Sequence, residues 1–167
     1  RWSRPAMCNR RTGENEIQYI CFGTAKNNTW FEMASLSISV SSCFAIEYFT
    51  KKNIPLDTTV NSLLAKTSST FRLKSKNDSW SDLVTLSHLM SHSALNMHYV
   101  NGVPANLEMP AVRNFLDGNS DYNYPPIEVI NNPGQKFQYS GGGFLVLEHL
   151  IEALENKSIF ELTRPFL

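Results

Sequence analysis

Residues 31–40 read FEMASLSISV, and what Ser35 does there decides which fold the chain carries. From Ser35 to about Lys51 neither glycine nor proline interrupts the chain. Leu36, Val40, Phe44 and Ile46 to Phe49 supply apolar side chains for the buried face of a helix. Ser35 or Ala34 stands at the start of that predicted helix, where a serine hydroxyl caps free backbone N–H groups. The position has a second chemical use. Free N–H groups and the positive end of the helix dipole stabilise an oxyanion, and a serine held there is a nucleophile once a base takes its proton. A serine at a helix start is by itself far more often a cap. In serine-x-x-lysine enzymes the base is a lysine three residues on. Here Ile38 holds that place, and no lysine in the chain follows a serine or threonine at that spacing.

Upstream, NEIQYICFG (15–23) alternates loosely and carries branched and aromatic residues, so it predicts a strand. KNNT offers a turn, and TWFEMA predicts a second short strand that completes a hairpin. Downstream, KKNIPLDTTVNSLL is broken at Pro55 and starts a short helix at Val60. Residues 66–80 are polar and serine-rich, a surface loop. SWSDLVTLSHLMSHSAL places Leu83, Leu86, Leu89 and Met90 at helical spacing. Residues 99–134 are punctuated by prolines, with a helix predicted at about 110–116. PGQKFQYSGGG reads as a turn, an extended piece and a glycine-rich loop. Phe144, Leu147, Leu150, Ile151 and Leu154 then stripe a last helix.

Composition narrows the function classes. The chain's 167 residues suit one domain with a sizeable core, and 42% apolar against 18% charged residues is an ordinary globular mix. Fifteen basic residues balance fifteen acidic ones, which gives no footing for a nucleic-acid binder. Arg1, Arg4, Arg10 and Arg11 cluster in what reads as a solvated tail. Cys8, Cys21 and Cys43 are odd in number and lack CxxC spacing, which argues against a disulfide framework and a zinc knuckle. Among His88, His92, His98 and His149 the 88/92 pair has helical spacing but no HExxH, and reads as structural; no metal is expected. No run is long enough for a membrane span, and no signal-like segment opens the sequence, so localisation stays open.

In YSGGG (139–143) a tyrosine precedes three glycines. A tyrosine phenol relays protons when a nearby cation favours its ionised form, and glycines let a second backbone pass close. No GK[ST] or GxGxxG accompanies them, so this is no phosphate loop. Taken alone, Tyr139 reads as a half-buried core residue.

In order, FEMAS, IPLDTTV, VTLSHLMSH and PGQKFQYSGGGFLVLEHLIE resemble the serine beta-lactamase-like and penicillin-binding protein family, in its class C and esterase-type branch. The resemblance runs from about residue 16 to 167. It implies an α/β (α+β) fold, an antiparallel sheet flanked by helices with a mostly helical subdomain after the nucleophile helix. On that basis the chain is one incomplete domain: a tail at 1–13, a hairpin and nucleophile helix at 14–51, and a mostly helical part at 52–167. The resemblance puts Ser35 at the nucleophile position and Tyr139 at the base of the second motif. It implies beta-lactams, D-amino-acid peptides or small esters as substrates, an acyl-serine intermediate, and no cofactor or metal.

The sequence departs from the family pattern in three places. Ile38 replaces the lysine. The third motif, a Lys- or His-x-Gly on a later strand, is expected after residue 167, since KTS at 66–68 lies too early and reads as loop. SHSALNMH lacks the glycine usual in the loop after the histidine. The expected function is therefore a catalytically impaired hydrolase-fold protein. The alternatives are an active serine hydrolase completed by residues outside this chain, and an unrelated helical interaction module. Expected partners are a small acyl substrate or peptide, and self-association through an open sheet edge.

Overall fold

The strand expected at 15–23 forms as Ile17–Phe22 (β2), and its antiparallel partner is Met7–Thr12 (β1), in register from Met7 opposite Phe22 to Thr12 opposite Ile17. The computed structural model describes residues 7–12, 17–77, 79–96, 103, 106–121 and 124–167. Arg1, Arg4 and His98 lie outside them. Two expectations are corrected here. Residues 7–12 are strand rather than tail, and TWFEMA is not the second strand of the hairpin. The reason lies in the turn before TWFEMA. Gly23 takes a positive φ of 68°, and the backbone then closes on itself, with the Thr29 N–H donating to the Lys26 carbonyl and the Lys26 N–H to Thr29 Oγ1. Trp30 beyond it is 98% exposed. Cys8 and Cys21 are Cα partners in the ladder. Cys21 is disulfide-bonded and Cys43 is a free thiol. This corrects the expectation drawn from cysteine spacing, because cross-strand register is not visible in spacing.

The chain divides into two compact units, Arg1–Leu36 and Ser37–Leu167. The first holds the β1–β2 hairpin and ends in a 3-10 turn, Ala34–Leu36. The second is built from helices: Ser37–Lys51 (α1), Val60–Leu64 (α2), Leu86–Met90 (α3), Val112–Leu116 (α4), Gly142–Glu155 (α5) and Ile159–Thr163 (α6). A two-residue parallel ladder joins Lys74–Ser75 (β3) to Glu128–Val129 (β4), in segments expected to be loop and broken chain.

Helix α5 organises the second unit. Val146, Leu147, Leu150 and Ile151 recur at helical spacing and are buried. Each such side chain contributes roughly 1.5–3 kcal/mol on burial. Around them pack Phe49 of α1, Leu64 of α2, Leu86 and Leu89 of α3, and Leu116 of α4. The helix stops at Asn156, which takes the left-handed conformation at φ 51°. Ser158 then starts α6 with a reciprocal cap to Glu161. At its other end α5 lies close to α3: a Cβ on Gly143 would stand 2.9 Å from the Leu89 carbonyl oxygen. In α1 the buried face is narrower than the sequence suggests. Ala45 and Phe49 are buried, whereas Ile46 is exposed and Leu36 precedes the helix, 71% exposed.

Candidate active site

The site residues predicted from sequence fall in different units, Ser35 in the first and Tyr139 in the second. Ser35 is exposed and sits in the middle of the Ala34–Leu36 3-10 turn, two residues before the α-helix at whose start it was expected. Ala34 before it has φ 45°, a left-handed conformation that costs a residue with a Cβ about 1–2 kcal/mol. Such strain recurs where a chain must present a side chain in a fixed direction. Ile38 lies half-buried in the first turn of α1. Its hydrocarbon side chain has no lone pair to accept a proton.

Tyr139 is half-buried in the irregular segment that leads into α5, and His92 holds that segment from both sides of the tyrosine. The Gln138 N–H donates to the His92 carbonyl oxygen at 2.7 Å, and the Ser140 N–H donates to His92 Nδ1 at 3.2 Å. Between these bonds the Tyr139 ring lies over the imidazole, centroids 4.5 Å apart and planes inclined at 32°. Phe137 meets the same ring edge-on at 5.9 Å, and Phe144 meets it at 5.7 Å with the planes inclined at 49°. His92 has φ 55°, past the end of α3. Burial holds its pKa below the usual histidine value. A neutral ring with its proton on Nε2 is the form that accepts the Ser140 N–H. Next to it Ser91 and Ser93 share a hydroxyl bond at 2.9 Å, and the Gly134 N–H donates to the Ser93 carbonyl at 2.9 Å. The glycine-rich loop is therefore pinned to residues 91–93 by backbone and imidazole together.

Sequence reasoning missed this role of His92. The signal was present: the segment VTLSHLMSH ends on that histidine, in the register the family resemblance uses. His88 and His92 do not form a helical pair, because α3 ends at Met90. His88 accepts the Thr85 N–H at Nδ1 and completes that helix's cap. Among the described residues no group of three His, Cys, Asp or Glu side chains is placed to hold a metal.

One other serine–histidine contact bears on the chemistry. Ser69 Oγ lies 2.7 Å from His149 Nε2. The same oxygen accepts the Phe71 N–H at 3.1 Å, and the His149 ring packs edge-on against Phe71 at 5.6 Å. These bonds fasten the 69–73 loop to α5, which is a structural use of the pair.

The sequence model of the beta-lactamase family matches residues 12–164. The chain belongs to the beta-lactamase family. Membership sets aside the unrelated helical interaction module. Among solved structures the chain is similar to a Bacillus anthracis protein provisionally named a 6-aminohexanoate-dimer hydrolase, at 17% identity and a TM-score of 0.57. The likeness covers 92% of this chain and 41% of that one, so this chain spans less than half the length of that relative. No curated protein matches the sequence. The fold is thus the α+β fold of beta-lactamase-family serine hydrolases, present as part of a domain. No helix among the described residues is long and apolar enough to cross a membrane.

Proposed function

We propose that this chain is a catalytically impaired serine hydrolase of the class C and esterase-type branch, with Ser35 at the nucleophile position and Tyr139 at that of the second-motif base. The observation that carries the reading is Ile38, three residues after Ser35 in the first turn of α1. Acyl transfer to serine requires the hydroxyl proton to leave as Oγ bonds to the substrate carbonyl carbon, and the amide or ester leaving group must be protonated as it departs. An isoleucine serves neither step. Loss of one member of a nucleophile–base unit costs on the order of 10⁴–10⁶ in turnover, with about 10³ over water surviving through binding and oxyanion contacts. Substrates on this reading are beta-lactams, D-amino-acid peptides or small esters, handled slowly or bound without turnover.

A second reading is an active hydrolase completed by residues outside this chain, with Tyr139 as base. The intact His92 clamp on the Tyr139 segment favours it.

Intact-mass spectrometry distinguishes the two. The protein is incubated with a fluorophosphonate or a penicillin beside a Ser35→Ala control. The impaired reading expects no adduct that depends on Ser35, and slow Ser35-dependent acylation in Ile38→Lys. A Ser35-dependent adduct in the natural sequence makes the active reading the correct one.

A further inference from the structure

The chain's three cysteines are Cys8, Cys21 and Cys43. Cys21 is disulfide-bonded and Cys43 is a free thiol, so Cys8 is the cysteine left to complete a bond within the chain. The ladder agrees with that count. Cys8 and Cys21 are directly opposed Cα partners in the β1–β2 hairpin. Opposed residues of an antiparallel pair lie about 4.5–5.5 Å apart at Cα, inside the range that a disulfide spans. Their place along the hairpin matters as much as the pairing. The Thr12–Ile17 end is joined by the chain itself, whereas Cys8–Cys21 stands one pair in from Met7–Phe22, at the open end of the ladder. Burial on β2 gives that end little help, because Tyr19, Ile20 and Phe22 are exposed. The sheet has only these two strands, and a two-stranded sheet is marginal alone in water.

We propose that a Cys8–Cys21 disulfide is a redox-controlled staple of the hairpin, closed under oxidising conditions and opened by thiols. Closure is thiol–disulfide exchange with a small-molecule disulfide such as oxidised glutathione. One cysteine thiolate attacks it and releases the first glutathione thiol, and the second cysteine displaces the other glutathione as the protein disulfide forms. Two protein thiols are thereby oxidised, one small disulfide is reduced to two thiols, and a dithiol runs the sequence backwards. Bridging residues 8 and 21 closes a loop of about 14 residues, which disfavours the open hairpin roughly 100-fold. With the staple closed, β1 covers one edge of β2. With it open, β1 separates and the N–H and carbonyl groups along that edge of β2 face water beside Tyr19, Ile20 and Phe22, a template for pairing with another strand. The staple uses neither Ser35 nor Tyr139, so it stands or falls independently of the hydrolase reading.

The full chain is equilibrated with oxidised glutathione, unfolded, alkylated with iodoacetamide and mapped by peptide mass, before and after reduction with dithiothreitol. Before reduction the expected label is on Cys43 alone, with a peptide pair linked through Cys8 and Cys21; after reduction all three cysteines are labelled. In Cys43→Ser the link should persist and no thiol should label before reduction. Amide exchange then reads the consequence on the natural sequence. Peptides covering 17–22 should exchange at least about 10-fold faster after reduction, while those covering 144–151 in α5 stay unchanged. Labelling of Cys8 and Cys21 after equilibration with oxidised glutathione overturns the proposal, as does a link that includes Cys43. Exchange at 17–22 that is the same before and after reduction also overturns it, and so does an equal acceleration in α5, which would make the bond a support of the whole chain rather than of the hairpin. The mapping and exchange on the natural sequence decide the matter even if the variant does not fold.

Discussion

His92 carries more of the site's geometry than any single residue the sequence singles out. Its carbonyl and Nδ1 hold the amides on either side of Tyr139, and its ring stacks on the phenol ring. His92→Ala removes the imidazole acceptor and the stacking face, at a cost of about 1–3 kcal/mol. Amide exchange at Ser140 should then accelerate at least about 10-fold, in step with that loss. His92→Asn restores a short acceptor and tolerates φ near 55°, so it should recover part of the protection. Unchanged Ser140 exchange in the alanine variant would remove His92 from this positioning role. A second residue-scale cost lies beside it. Ser140 is 1% exposed, and its hydroxyl has no hydrogen-bond partner among the described residues. Ile38 was legible directly from sequence, because which residue stands three places after Ser35 is a matter of residue type. His92 was not, because its value comes from contacts with residues more than forty positions away.

At the scale of elements, α5 and α3 set the position of the glycine-rich loop. At Gly143 the two helices approach closely in backbone terms, with space for a hydrogen and none for a methyl group beside the Leu89 carbonyl. Gly143→Ala gains up to about 1 kcal/mol of helix propensity, against about 1–3 kcal/mol for displacing backbone. The expected net effect is a loss of about 1–2 kcal/mol, read as a lower midpoint in urea with an unchanged slope. A stabilised variant would mean that α5 moves freely relative to α3. The stripe of α5 was readable in advance, because periodicity is local. The β1–β2 pairing was not. It depends on which segment meets Ile17–Phe22 across a turn, and the bonds at Lys26–Thr29 redirect the chain before TWFEMA can pair.

For the whole molecule, acid sensitivity follows from half-buried imidazoles. Burial lowers the pKa of both His92 and His149 below the ordinary value of 6.5. The native state therefore binds fewer protons than the unfolded chain between those lowered values and 6.5. Stability is fully present above about 6.5 and declines as pH falls through that window. Glu148 acts with the opposite sign: its raised pKa contributes stability that is present below 4.5 and lost as pH rises through the folded value. Melting temperature should fall between about pH 7 and 5, and His92→Asn with His149→Asn should flatten that slope. A slope unchanged by both substitutions would assign the acid response to other groups.

The same scale carries an expectation about association. In the first unit Tyr19, Ile20 and Phe22 of β2 are exposed, as are Trp30, Phe31 and Met33 after it. A two-stranded ribbon with open edges and apolar side chains in water is marginal alone and a template for pairing. Light scattering is expected to show concentration-dependent self-association, reduced by Phe22→Lys. A monodisperse monomer at roughly 100 µM would oppose this expectation.

By itself the sequence determined the helical stripes, the order of segments that places the chain in the beta-lactamase family, and the isoleucine three places after Ser35. These rest on residue type and on neighbours within a turn or two, so they are written locally. Only the tertiary structure decided the partner of β2, the bonded state of Cys21, and the use of His92 to hold Tyr139. Each of these depends on register or backbone direction, which contacts between distant segments impose.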